Sequence, residues 1–384
     1  MRAFKLVSLL VLVALLMSGC AAAAPKEFKV AVLAPLSGPV PTFGVMTRDG
    51  ALLAIEEWNA KGGVLGSKIV PVIEDSQCTP DPAVNAANKV IDQDKVKFIV
   101  GEVCSKASIP ISEIANAKKV IQISPTSTNP KYTDEGGWNV IRLVPRDDAQ
   151  AAAAAALVLD KFAGQKVAVV TDQVPVFTAL ATAFTDALLQ KGVTLALQRS
   201  FKAGTKDFAP LAKQIADSGA GVIYLTASYV EGGLIAQALR AAGSRAQIVS
   251  GDSLVTEDYG NQAKEAASGT LSTFTYDARK FPDAQSVVQR FRDQDQNAEG
   301  FTLYAYAAVQ ALAAAAEATG SMDSTRIAEW LRGGNRFDTV IGPVTFDAKG
   351  DLTTSSIAWF KWIDGRYVEV DPKTLAPPVL DTTP

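Results

Sequence analysis

From residue 28 onward, short runs of apolar and β-branched residues alternate with longer stretches in which apolar positions recur every three or four residues. The runs at 29–33, 69–74, 98–101, 120–123, 166–171, 194–201, 222–226 and 248–251 read as strands. The stretches 45–59, 81–93, 109–117, 148–162, 177–191, 208–218, 233–242, 283–295 and 301–318 read as helices. Wholly apolar strands separated by helix-length segments predict mainly parallel sheets with crossover helices, the α/β class. The strands fall into two sets of four, parted by 139–146, where a strand-like Val-Ile-Arg-Leu-Val run ends at Pro145. That run reads as the first crossing between two lobes. Helices return after 268–274, and 344–346, 357–360 and 367–370 read as small strands around a hairpin, with a polar turn at 347–350 between two of them. The expected division is 28–145 plus 275–350 for one lobe and 146–274 plus 351–372 for the other, joined by a three-strand hinge, with a flexible tail at 373–384.

Composition narrows the function. A chain of 384 residues with 48% hydrophobic and 20% charged positions has ample material for large cores. The 37 Lys and Arg are scattered and the formal net charge is -3, so the footprint of a nucleic-acid binder is missing. There is no histidine. That removes His-bearing zinc sites, His-based triads and two-His iron sites, and it disfavours an enzyme. A Ser-Lys dyad at Ser105 and Lys106 has poor geometry, because adjacent residues at a helix start point apart. No cofactor or metal is implied.

The N-terminus carries an address. Arg2 and Lys5 precede an apolar run from Leu6 to Met17, then Ser18-Gly-Cys20 and four alanines, which describes a secretory signal over 1–19 followed by a linker at 20–27. Small residues before Cys20 suit bacterial lipidation of that cysteine; the alternative is plain cleavage among Ala21 to Ala24. The implied location is extracytoplasmic, in the periplasm or on the outer face of the cytoplasmic membrane, held there by a lipid. With Cys20 used as the anchor, Cys78 and Cys104 remain as an even pair in an oxidising compartment and are expected to bond. The alternative is two unrelated buried thiols.

Ligands of open parallel sheets sit beyond the carboxyl ends of the strands, near helix N-termini. After the third strand stands Glu102-Val-Cys-Ser105, and after the fourth Ser124-Pro-Thr-Ser-Thr128, which brings the hydroxyls of Ser105, Thr126, Ser127 and Thr128 together as an anion cradle. In the second half, Asp252 follows one strand and Ser228-Tyr229 another. An anion cradle facing Asp252 suits a zwitterion. Cap or turn roles for Ser105, Thr128 and Asp252 are the competing readings. The Gly-rich stretch 59–66 lacks phosphate-loop spacing and reads as a helix stop and turn.

These stretches resemble the bacterial branched-chain amino-acid binding proteins, type I periplasmic binding proteins of ABC importers. The motifs that carry the resemblance are Ala34-Pro-Leu-Ser-Gly-Pro39, Asn59-Ala-Lys-Gly-Gly63, Ala86-Ala-Asn-Lys-Val90, Ser124-Pro125, Lys206-Asp-Phe208, Arg240-Ala-Ala-Gly243, Tyr306-Ala-Ala308, Gly342-Pro343 and Lys349-Gly-Asp-Leu352, spread over nearly the whole chain. The resemblance implies two Rossmann-like lobes, closure about a hinge, and delivery of a leucine-like ligand to membrane permease subunits by a monomeric protein. It implies that Ser105, Thr128 and the backbones at Val103 and Thr126 bind a carboxylate, that Thr126 and Asp252 take the ammonium, and that Cys78 and Cys104 are the family's disulfide. Departures bear on specificity. Asp252 stands where Glu is common, Phe43 and Val176 stand where leucine-binding relatives show Tyr, Ser228 precedes Tyr229 at another Tyr position, and Phe301 keeps an aromatic wall. Other readings on the same fold are a binder of an amide, a γ-amino acid or a small carboxylate, and a ligand-sensing receptor subunit.

Overall fold

The computed structural model describes residues 26–353 and 357–376. The expected signal segment, Cys20 and residues 377–384 lie outside the described residues. Chain order gives β1 (Lys26–Ala34), α1 (Pro41–Ala60), β2 (Ser67–Asp75), α2 (Pro80–Asp92), β3 (Phe98–Gly101), α3 (Ser105–Ala117), β4 (Ile121–Ser124), a single turn α4 (Lys131–Asp134) and β5 (Val140–Arg142). These five strands pair in the order β2-β1-β3-β4-β5, all parallel.

The chain then crosses to α5 (Asp147–Lys161), β6 (Val167–Asp172), α6 (Pro175–Leu189), β7 (Leu197–Phe201), α7 (Ala209–Ser218), β8 (Val222–Thr226), α8 (Tyr229–Ala241), β9 (Gln247–Ser250), α9 (Glu257–Ala263) and β10 (Leu271–Phe274). It returns through α10 (Gln285–Arg292), α11 (Thr302–Thr319), α12 (Ser324–Arg332) and the antiparallel pair β11 (Phe337–Thr339) and β12 (Gly342–Val344). A third passage leads to β13 (Ala358–Ile363) and β14 (Arg366–Val370), which complete a seven-stranded sheet ordered β14-β13-β10-β9-β8-β6-β7. Each sheet with its helices is one lobe.

Burial on both faces explains the strands' composition. Val30, Val32, Leu33, Val169 and Val170 are fully inaccessible, and each such side chain contributes roughly 1.5–3 kcal/mol. The alanine-rich α11 is buried nearly all round and lies against α1. Gly50 permits that approach, since a Cβ there would stand 2.0 Å from the Thr302 carbonyl oxygen.

Several expectations are corrected. The Val-Ile-Arg run at 140–142 is a fifth strand rather than a crossing, because its backbone pairs with β4 and Arg142 N–H donates to the Gly350 carbonyl at 2.8 Å. Residues 344–346 are not part of the C-terminal hairpin, because Val344 pairs with Phe337 instead. The hairpin joins β13 to β14 through Asp364-Gly365, with φ 48° and 75°, the left-handed pair a two-residue turn requires. Residues 26 and 27, expected as linker, pair with Ser67 and Lys68. At the other end, Leu375 N–H donates to Asp371 O at 2.7 Å, so the start of the expected flexible tail is a hydrogen-bonded turn.

Two helices start four residues before the expected point, and both starts shape the cleft. α1 begins at Pro41, where proline's missing N–H costs nothing. α3 begins at Ser105 and runs through Pro110, leaving the Lys106 carbonyl without its helical donor.

Candidate ligand-binding cleft

Where the two lobes meet, the strand ends of both line a partly open cavity of about 60 Å³. The lining combines Val40 and Phe43 from the start of α1, Val103, Cys104 and Ser105 from the start of α3, and Thr126 and Thr128 after β4. Val176 and Phe177 from α6, Asp252 and Ser253 after β9, and Phe301 before α11 close it. A wider groove beyond the Phe43 wall, lined by Val45, Met46 and Phe291 with Asp49 and Glu257, has no strand end opening into it.

Local structure fixes the anion end. Helix first-turn N–H groups lack intrahelical acceptors, and Ser105, the first residue of α3, lines the cleft. The Ser105 Oγ accepts the Asn129 backbone N–H at 3.1 Å, which leaves its hydrogen free to donate. Ser124 closes the turn after β4 by accepting the Ser127 N–H at 2.9 Å. Beneath them Glu102 is wholly buried. Burial pushes its carboxyl up to about 8, against hydrogen bonds from Ser76 and from the Cys104 and Val103 N–H groups. A disulfide between Cys78 and Cys104 ties the loop after β2 to the first turn of α3.

The opposite end is acidic. Asp252 is half-buried and accepts from Gln150 Nε2 at 3.3 Å, while Gln150 Oε1 accepts the Thr273 hydroxyl at 2.9 Å. Burial pushes Asp252 up to about 6, against the Gln150 hydrogen bond. Between the two ends the surface is apolar: Val40, Phe43, Val176, Phe177 and Phe301. Phe43 is held edge to face by Phe301 at 5.3 Å and Tyr229 at 5.7 Å. Gly44 lets the turn carrying Phe43 press on the loop after β1, because a Cβ there would stand 1.9 Å from the Pro35 oxygen.

The structure thus gathers Phe43, Val103, Ser105, Thr126, Thr128, Val176, Asp252 and Phe301 around one space. The other three sequence candidates lie outside the lining. Ser127 turns inward and donates to the Glu102 carbonyl at 3.0 Å. Ser228 caps α8 by accepting the Glu231 N–H, and its hydroxyl bonds the Glu231 carboxylate. Tyr229 stands behind Phe43 with its hydroxyl on Thr42. Sequence reasoning missed Val40, Phe177, Ser253, the place of Cys104 in the lining and the support from Gln150. Among the described residues, no cluster of His, Cys, Asp and Glu is arranged to hold a metal, and no helix is long and apolar enough to cross a membrane. The arrangement can hold a carboxylate at one end, an ammonium at the other and an aliphatic group between.

The sequence matches the periplasmic binding protein family over residues 27–366. It is 37% identical over 349 residues to the Leu/Ile/Val-binding protein BraC3 of Rhizobium johnstonii, covering 91% of this chain and 95% of that one. It is 37% identical over 336 residues to Leu/Ile/Val-binding protein homolog 1 of Brucella melitensis, covering 87% and 90%. Among solved structures, the leucine binding protein LivK of Thermotoga maritima superposes with a TM-score of 0.83 at 29% identity, covering 90% of this chain and 98% of that one.

Proposed function

Because the chain belongs to the periplasmic binding protein family, we propose that it is the extracytoplasmic substrate-binding component of an ABC importer and that its cleft captures a branched-chain or other neutral amino acid. The observation that carries this reading is that the hydroxyls of Ser105 and Thr128 and the carboxylate of Asp252 line one space whose other walls are the apolar Phe43, Val176 and Phe301. The first lobe takes the carboxylate, the second swings in with Asp252 to take the ammonium, and the aliphatic side chain fills the apolar middle. Closure is a population shift driven by contacts made only when both lobes touch the ligand. The closed form then docks as a monomer on membrane permease subunits, near the membrane through a lipid on Cys20.

A thermal-shift screen against amino acids, amides and small carboxylates tests this, since a ligand that binds only the folded state raises the melting temperature. Leucine, isoleucine or valine is expected to give a clear shift that Asp252→Ala abolishes without unfolding the protein. A shift only with ligands lacking an α-amino group would discard the amino-acid reading.

A further inference from the structure

Two buried polar atoms behind the acidic end of the cleft have no hydrogen-bond partner: Asp147 Oδ2 and the Tyr224 hydroxyl. Asp147 is the first residue of α5 and only 3% exposed. Gln150, three residues on and thus on the same helix face, holds Asp252 through its amide, and Thr273 fixes that amide in turn. The groups facing Asp147 are Asp252 from the end of β9, Asp148 on its own helix, Arg142 from β5 and the Thr128 hydroxyl from the loop after β4. Tyr224 from β8 lies close enough to feel the charge of both acids. Arg142 is committed elsewhere: it pairs with Asp351 and donates to the Ser127 and Asn129 carbonyls at 3.2 and 2.7 Å. Among the described residues neither Asp147 nor Asp252 has an ion-pair partner.

Two neighbouring acids in a poorly hydrated site, neither of them paired with a cation, resist carrying two charges. We propose that Asp147 and Asp252 form a carboxylate pair that holds one proton in the ligand-free protein and releases it when the ammonium of the ligand enters. This rests on the zwitterion reading given above and adds Asp147 as a residue that acts on the ligand through Asp252. The acid O–H bond breaks, the proton passes to buffer, and the ammonium keeps its own three. Burial, with the charge of Asp252 adding to it, pushes Asp147 up to about 7, and burial pushes Asp252 up to about 6, so release falls near neutral pH.

The test is calorimetry at pH 6.5, using whichever of L-leucine, L-isoleucine and L-valine binds tightest, in two buffers of different ionisation enthalpy. The expected result is release of about half a proton or more per ligand, and a dissociation constant about tenfold weaker at pH 5.5 than at pH 7.5, as protons compete for the pair. Asp147→Asn should remove most of the release and flatten that dependence, which loss of packing alone would not do. If that variant does not fold, the proton count and pH dependence of the unaltered protein decide. Binding without proton release, or release unchanged in Asp147→Asn, overturns the pair and leaves the amino-acid reading standing. Failure of all three amino acids to bind overturns the reading itself and the pair with it.

Discussion

The hydroxyls of Thr42 and Tyr229 meet at 2.9 Å between the lobes, one from the first turn of α1 and the other from the first residue of α8. Thr42 Oγ1 also donates to the Asp258 carboxylate, so the Tyr229 hydroxyl is the donor in the shared bond. The two lobes therefore touch through a hydrogen-bonded latch.

Tyr229→Phe should keep the ring against Phe43 and lose only this bond. A net hydrogen bond contributes about 1 kcal/mol, so ligand release in stopped-flow should quicken about fivefold with the melting temperature nearly unchanged. An unaltered off-rate would mean that the latch does not oppose opening.

Ser105→Ala should weaken binding by roughly 1.5–3 kcal/mol, the range for a hydrogen bond to a charged group. Calorimetry on the folded variant reads this directly. Equal affinity would remove Ser105 from the anion end and return it to the role of a first-turn residue supporting Asn129.

Glu102 ties stability to pH. Its carboxyl is raised in the folded state to about 8 while the unfolded chain holds it near the ordinary value, so the folded protein binds the proton more tightly. Its contribution is then fully present below about pH 4.3 and declines as pH rises toward 8. Glu102→Gln should flatten that decline in melting temperature; a decline of the same slope would place its cause elsewhere.

The Cys78–Cys104 disulfide joins residues 26 apart in sequence. Closing such a loop stabilises by roughly 3 kcal/mol in the chain-entropy account. Replacing both cysteines by alanine should lower the denaturant midpoint accordingly and should also weaken ligand binding, since Cys104 lines the cleft at the start of α3. A lower midpoint with undiminished affinity would show that α3 holds its first turn unaided.

What the sequence determined by itself is local and periodic. Apolar runs long enough for one strand and helical stretches between them specify parallel crossover units, because both depend on neighbours a few residues apart. Reading the residues just after strand ends led to Ser105, Thr128 and Asp252, which the fold places around one space. Local rules failed where a donor or acceptor came from far along the chain: 140–142 became a strand because β4 offered an edge, and Val344 left the hairpin because Phe337 claimed it. Only the tertiary structure decided which hydroxyls face the cleft. Ser127 and Thr128 are adjacent, yet Ser127 is drawn inward by the Glu102 carbonyl while Thr128 remains in the lining. Ser228 likewise satisfies Glu231 in place of a ligand. A buried polar group must find a partner, and which partner is nearest is set by the packing of distant segments, a quantity no periodicity encodes.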